Sequence, residues 1–285
     1  MKSIATLSMT VISLTMTVIA QGQAASSLDG PLMDAAASGN ATTVQQLVQK
    51  GANVNAVVGG GFTPLYAASQ SGHADVVALL LAAHANVDVA IGNGSTPLSI
   101  ASGQGHADVV ALLLAAHANV NAVTKDGFTS LIYASQNGHA DVVKLLLAAG
   151  AKATSSNTVD SRTPLIGASQ NGHADVVELL LASGANVNAA AKNGATPLLV
   201  ASQESHATVI KLLLAAGANV NVVANNGATA LMLAAMGGRT EVVKLLLDAG
   251  ANVNAALKDG TTPLKLATDG GHSDIVQLLK TAGAK

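Results

Sequence analysis

Of eight histidines, six share one register: His73, His106, His139, His173, His206 and His272, separated by 33 or 34 residues or by twice 33. A recurring imidazole invites a metal-ligand reading. If each interval is one packed helical unit, neighbouring histidines sit about 10 Å apart. Zinc holds its ligands at about 2 Å, so two such residues cannot share an ion. His84 and His117, also one interval apart, fail in the same way. Asp75, Asp108, Asp141 and Asp175 each follow a histidine by two residues. A negative charge at a helix start complements the backbone dipole there and needs no catalytic role. No serine stands in a nucleophile elbow. Gly59-Gly60-Gly61 lacks the lysine that follows in a phosphate-binding loop. With no cysteine in the chain, disulfides, thiolate metal sites and a cysteine nucleophile are excluded. The sequence offers no catalytic set, cofactor site or metal site and reads as a non-enzyme.

Composition narrows the remaining classes. The formal charge is −2 and only 11% of the 285 residues are charged. A nucleic-acid surface needs clustered Lys and Arg to neutralise phosphates. Phe62, Tyr66, Phe128 and Tyr133 are the whole aromatic complement, too few for a base-stacking platform. Length alone would allow two globular domains, but a fixed period overrides that prior, because stacked units grow by addition into one body.

The elements that position the histidines follow from the words around them. Thr63-Pro64-Leu65 returns as Thr96-Pro97-Leu98, Thr163-Pro164-Leu165, Thr196-Pro197-Leu198 and Thr262-Pro263-Leu264, and Pro31-Leu32 keeps the same register. All six prolines occupy this slot. Proline suits the first turn of a helix, and the preceding threonine caps it. The second repeat then reads as a short helix to about Ser71, stopped by Gly72. Its second helix carries Val76, Val77, Leu79, Leu80 and Leu81 at helical spacing. Gly150, Gly184, Gly217 and Gly250 close the equivalent helix as left-handed residues, with His84 and His117 taking that role in two repeats. The Ala-Asn-Val-Asn-Ala run and the Lys-Asp-Gly or Asn-Asn-Gly that follow read as an extended turn.

These words, in these slots, resemble the ankyrin repeat over roughly residues 30–285. The resemblance implies an all-α solenoid of about eight helix-turn-helix units, starting near residues 30, 61, 94, 127, 161, 194, 227 and 260. It implies β-hairpin or turn fingers projecting from paired helices, histidines bonded to backbone at the turn, and a curved face that binds other proteins. Several repeats depart from the pattern. The fifth has Ser161 for glycine and one extra residue within 155–160, so its finger is expected to be longer or disordered. Ser130 and Ala230 replace proline, and Arg239 replaces histidine. Asp34, Gln45, Gln46 and Gln49 near the start, and Gln277, Lys280 and Lys285 near the end, read as polar caps of a complete array.

Residues 1–24 have the layout of a secretory signal peptide: Lys2, an uncharged run from Ile4 to Ala20, then small residues. Cleavage is expected after Ala20 or Ala24, leaving 25–29 as a lead-in; an uncleaved anchor is the alternative, since the run approaches spanning length. Nothing downstream reads as a second span. The signal points to the periplasm of a bacterium or to secretion, with a eukaryotic route left open.

The remaining information lies on the surface. Gln70, Gln104, Gln136, Asn137, Gln170, Asn171, Gln203 and Glu204 form an almost uncharged polar ladder on the first helices. The fingers carry Val58, Ile91, Val223 and Leu257, with Phe62 and Phe128 just behind and Tyr66, Lys125, Lys192 and Met236 nearby. A row of apolar turns marks an interaction surface, or else packs finger on finger. The sequence thus predicts a monomeric, exported scaffold that clasps a protein partner between apolar fingers and a Gln/Asn-lined groove. A secreted effector that binds a host protein, a stabilising subunit of a periplasmic enzyme, and a hydrolase or metal-dependent enzyme are the rival readings.

Overall fold

The computed structural model describes residues 27–285, so the expected signal peptide lies outside the described residues. Two compact units are distinguished, one ending at Asn119 and one running from Val120 to Lys285. The first contains α1 (27–37), α2 (Ala41–Gln49), α3 (Pro64–Ser71), α4 (Ala74–Ala82), α5 (Pro97–Gln104) and α6 (Ala107–Ala115). The second contains α7 (Ser130–Asn137), α8 (Ala140–Ala148), α9 (Pro164–Asn171), α10 (Ala174–Ala182), α11 (Pro197–Glu204) and α12 (Ala207–Ala215). It continues with α13 (Ala230–Met236), α14 (Thr240–Asp248), α15 (Pro263–Asp269) and α16 (Ser273–Thr281). Within each unit, first helices pack on first helices and second on second, as in α9 on α7 and α11, and α10 on α8 and α12.

Local chemistry sets each pair. Thr63, Thr96, Thr129, Thr163, Thr196, Thr229 and Thr262 all accept a hydrogen bond from the N–H three residues on. Each thus satisfies one of the unpaired donors of a helix start. Seven- and eight-residue helices are too short to persist alone, so packing must hold them. Val176, Val177 and Leu180 on α10 are fully buried, and Leu165 and Ala168 on α9 complete the same layer.

The fingers between helix pairs are closed turns. Among the described residues there is no strand, only isolated bridges at Val58–Phe62 and Val123–Thr129. The fingers are shut by an N–H meeting a carbonyl four residues on, as in Ala191 to Ala195 at 2.9 Å and Ala224 to Ala228 at 2.9 Å, and Phe62 returns a second bond to Val58. The fifth repeat is the exception: of the two expectations for its finger, longer or disordered, it is longer by one residue and closed. There Asn157, 3% exposed, fills the slot that Val58, Ile91 and Ala191 hold elsewhere. Its N–H meets the Arg162 carbonyl five residues on at 3.1 Å. Its Oδ1 accepts from the N–H groups of Asp160 (3.1 Å) and Arg162 (3.2 Å). The side chain thereby absorbs the extra residue, and Ser161 takes the left-handed turn at φ 59°.

Candidate functional site

The histidines are structural and reach further than their own turn. His73 and His106 place Nε2 3.1 Å from the carbonyls of Ala37 and Gln70. In the second unit His173, His206 and His272 do the same to Gln136, Gln170 and Met236, at 3.1, 3.0 and 3.1 Å. Each bond joins one repeat to the first helix of the repeat before it. The imidazoles also lie on glycines: a Cβ built on Gly172 would sit 2.5 Å from His206 Nδ1. Among the described residues no group of three His, Asp or Glu is placed to hold a metal.

The surface expected to bind a partner divides into parts that are exposed and parts that are not. Gln70, Gln104, Asn137, Asn171, Gln203, Glu204 and Lys125 are exposed, while Gln136 and Gln170 are half-buried. Met236 and Val223 are 54% and 55% exposed, and Phe62 is 37% exposed. Val58, Ile91, Phe128 and Leu257 are half-buried. Leu257 lies over the preceding finger, since a Cβ on Gly227 would come within 3.2 Å of its Cδ2. Tyr66 does not reach the surface: it is 4% exposed, edge-on to Phe62 with ring centres 5.4 Å apart. It supports Phe62 and cannot touch a partner directly. Phe128 stacks on Tyr133 at 5.2 Å.

Lys192 is similarly committed. Its Nζ donates to the carbonyls of Thr158 (2.8 Å) and Val159 (2.7 Å), and its N–H to Asp160 at 2.8 Å. Its own carbonyl accepts from Asn225 Nδ2 at 2.8 Å. Thr158 N–H to Asp126 (2.9 Å) and Asn225 N–H to Asn193 (3.1 Å) continue the pattern. The fingers of repeats four to seven are therefore laced to one another through backbone. Repeat eight adds Asp259, whose carboxyl is held below its usual range, first by the Thr261 N–H it accepts.

Two adjoining clefts open between these laced fingers and the first helices. One, of about 420 Å³, is bounded by Val159, Asp160, Arg162, Gln170, Lys192 and Glu204, among others. The next, of about 250 Å³, shares Gln203 and Asn193 with it and reaches Ala224 and Leu233. Gln170, Gln203 and Glu204 of the polar ladder and Lys192 of a finger line the first cleft together. Val159, Asp160, Arg162 and Asn193 were not singled out, although the extra residue before Arg162 was a visible signal.

Helix pairs repeating every 33 residues, capped and turned in this way, agree with the family comparison. A model of ankyrin repeats (3 copies) matches residues 17–91, 81–157, 150–224 and 207–285. The chain is an ankyrin-repeat protein. Among curated proteins none matches it. Ankyrin repeats are protein–protein interaction modules and are typically non-catalytic. In this ankyrin-repeat protein no described helix is long and apolar enough to cross a membrane.

Proposed function

We propose that the chain is a non-catalytic scaffold that holds a partner polypeptide against its fingers and first helices, with repeats five to seven at the centre. The laced fingers carry this reading. Asp126, Thr158, Asp160, Lys192, Asn193 and Asn225 fix the turns before any partner arrives. A preformed surface loses little freedom on binding, so more of the contact energy appears as affinity. The clefts offer half-buried aliphatic walls at Ala191, Val200 and Leu233 with amides at Gln170 and Gln203. That mixture suits a polypeptide segment, whose backbone needs hydrogen-bonding groups and whose side chains need apolar contact.

Export is part of the same proposal. Lys2, the uncharged run to Ala20 and the small residues to Ala24 favour a cleaved leader and an envelope location. N-terminal sequencing of the processed protein tests it: a start at Gln21 or Ala25 is expected, and an intact Met1 refutes it.

The binding face is tested by affinity capture on envelope extract, with a Gln203→Arg/Val223→Asp variant beside the natural chain. Both residues are exposed, so the fold should persist. One abundant protein retained by the natural chain and lost from the variant is expected. Equal retention refutes the face. Capture from host material alone would make the protein a secreted effector, and stoichiometric co-purification with an enzyme a stabilising subunit.

A further inference from the structure

Arg162 differs from every counterpart in its slot. The residue before the capping threonine is Phe62, Ser95, Phe128, Ala195, Ala228 or Thr261 in other repeats, and a basic residue only in the fifth. The Asn157 turn fixes its backbone, and the side chain lines the larger cleft. There its Nε stands 3.8 Å from Asp160 Oδ2, beyond hydrogen-bond distance, with both side chains partly exposed. Such a contact is weak. Other cationic and anionic groups of the cleft are already engaged. Lys192 Nζ is donated to two carbonyls, and Glu204 Oε1 accepts from Gln203 Nε2 at 3.1 Å. Among the described residues the guanidinium has no hydrogen-bond partner, although it carries a planar fork of donors matched to a carboxylate.

From this we infer that the cleft between the fifth and sixth fingers is a subsite for one acidic side chain of an extended partner segment. The partner carboxylate takes the Arg162 fork, its aliphatic stem lies on the half-buried Ala191 and Val200, and Gln170 and Gln203 meet the flanking peptide groups. Asp160 and Glu204 share the cleft, so a second negative charge is repelled, which disfavours a phosphate dianion and leaves one carboxylate as the matched ligand. The inference rests on the proposed partner-binding face and adds the chemistry that face selects.

Arg162 and Arg239 are the chain's two arginines, so their Nε–Hε signals in NMR are read without ambiguity. The probes are three blocked seven-residue peptides of alternating leucine and glutamine, with a central glutamate, glutamine or lysine. The glutamate peptide should bind the full-length protein about threefold to tenfold more tightly than the glutamine peptide, as a partly exposed charge-assisted pair allows. It should move the Arg162 signal and leave Arg239 still. Arg162→Gln should erase the preference without weakening the glutamine peptide, and Glu204→Gln should preserve or sharpen it. A preference for lysine overturns the inference. Equal binding of all three peptides with Arg162 unmoved overturns it too, while sparing the partner-binding face. Silence of the Gln170 and Gln203 side-chain amides with every peptide also overturns it, and the envelope capture then judges the face by itself.

Discussion

Replacing Gly172 with serine should destabilise the second unit by two separable effects. Gly172 has φ +79°, a region where a Cβ costs about 1–2 kcal/mol. That Cβ would also stand 2.5 Å from Nδ1 and 2.6 Å from Cε1 of His206. Forcing it in is an overpacking error of about 1–3 kcal/mol, so the total is about 2–5 kcal/mol. Gly217→Ser supplies the control: φ is +83° but nothing lies within 4 Å, so only the backbone effect of about 1–2 kcal/mol should appear. The chain contains its own rescue. Ser205 occupies the glycine slot at φ 69°, and Arg239, one repeat on, stands in the histidine slot. Arg239 instead turns over its own repeat, with Nε 3.3 Å from a Cβ built on Gly237. Adding His206→Arg to Gly172→Ser should therefore relieve the clash, although it loses the 3.0 Å bond to the Gln170 carbonyl. Urea unfolding by circular dichroism measures the cycle, with hydrogen exchange of α12 amides as a local check, because stacked repeats need not unfold in one step. A coupling of about 1–3 kcal/mol is expected for residues in direct contact. Costs that add to within about 0.5 kcal/mol would refute the reasoning.

Ser69, Ser102, Ser135, Ser169 and Ser202 bury Oγ without a hydrogen-bond partner among the described residues, whereas Ala235 fills the same slot fully buried. Ser169→Ala should thus raise stability by about 1 kcal/mol, since an unmet hydroxyl costs about 1–3 kcal/mol; a loss of similar size in urea unfolding would show an undetected partner. Lys192→Met removes the two bonds to Thr158 and Val159. It should speed hydrogen exchange of the fifth and sixth fingers while changing global stability by less than about 1 kcal/mol. Unchanged exchange would refute the lacing. Asp259 is depressed by its Thr261 hydrogen bond, so its contribution is present above the unfolded pKa and is lost as pH falls through the lower folded one. An NMR titration should place its midpoint below that of an unstructured aspartate, and Thr261→Pro, which removes the N–H, should bring it back up.

Much of this was legible in one dimension because the deciding contacts are local. A threonine reaches the N–H three residues on, glycine alone enters the left-handed turn without strain, and valine and leucine at helical spacing share a face. Those rules placed the helix pairs, the left-handed roles of His84 and His117 (both at φ 63°) and the ankyrin register. The positions of the polar ladder were legible for the same reason, since Gln170, Gln203 and Glu204 lie in the last turns of α9 and α11 by register alone.

Contacts between repeats escape such rules, because their partners lie 29 to 37 residues away and depend on how one helix pair seats on the next. Sequence could name His173 but not the Gln136 carbonyl it meets, and Lys192 but not the two carbonyls that occupy it. It showed Tyr66 beside Phe62, yet only packing turned one ring inward and left the other partly exposed. Asn157 makes the point most directly. A polar residue next to an extra residue reads as a loose loop. The tertiary structure buried it and used its carbonyl oxygen in place of a backbone bond, which set the finger that carries Arg162. Sequence therefore determined the repeat and its caps, which are short-range chemistry. The stacking of repeats decided which side chains lock the fingers and which remain to meet a partner.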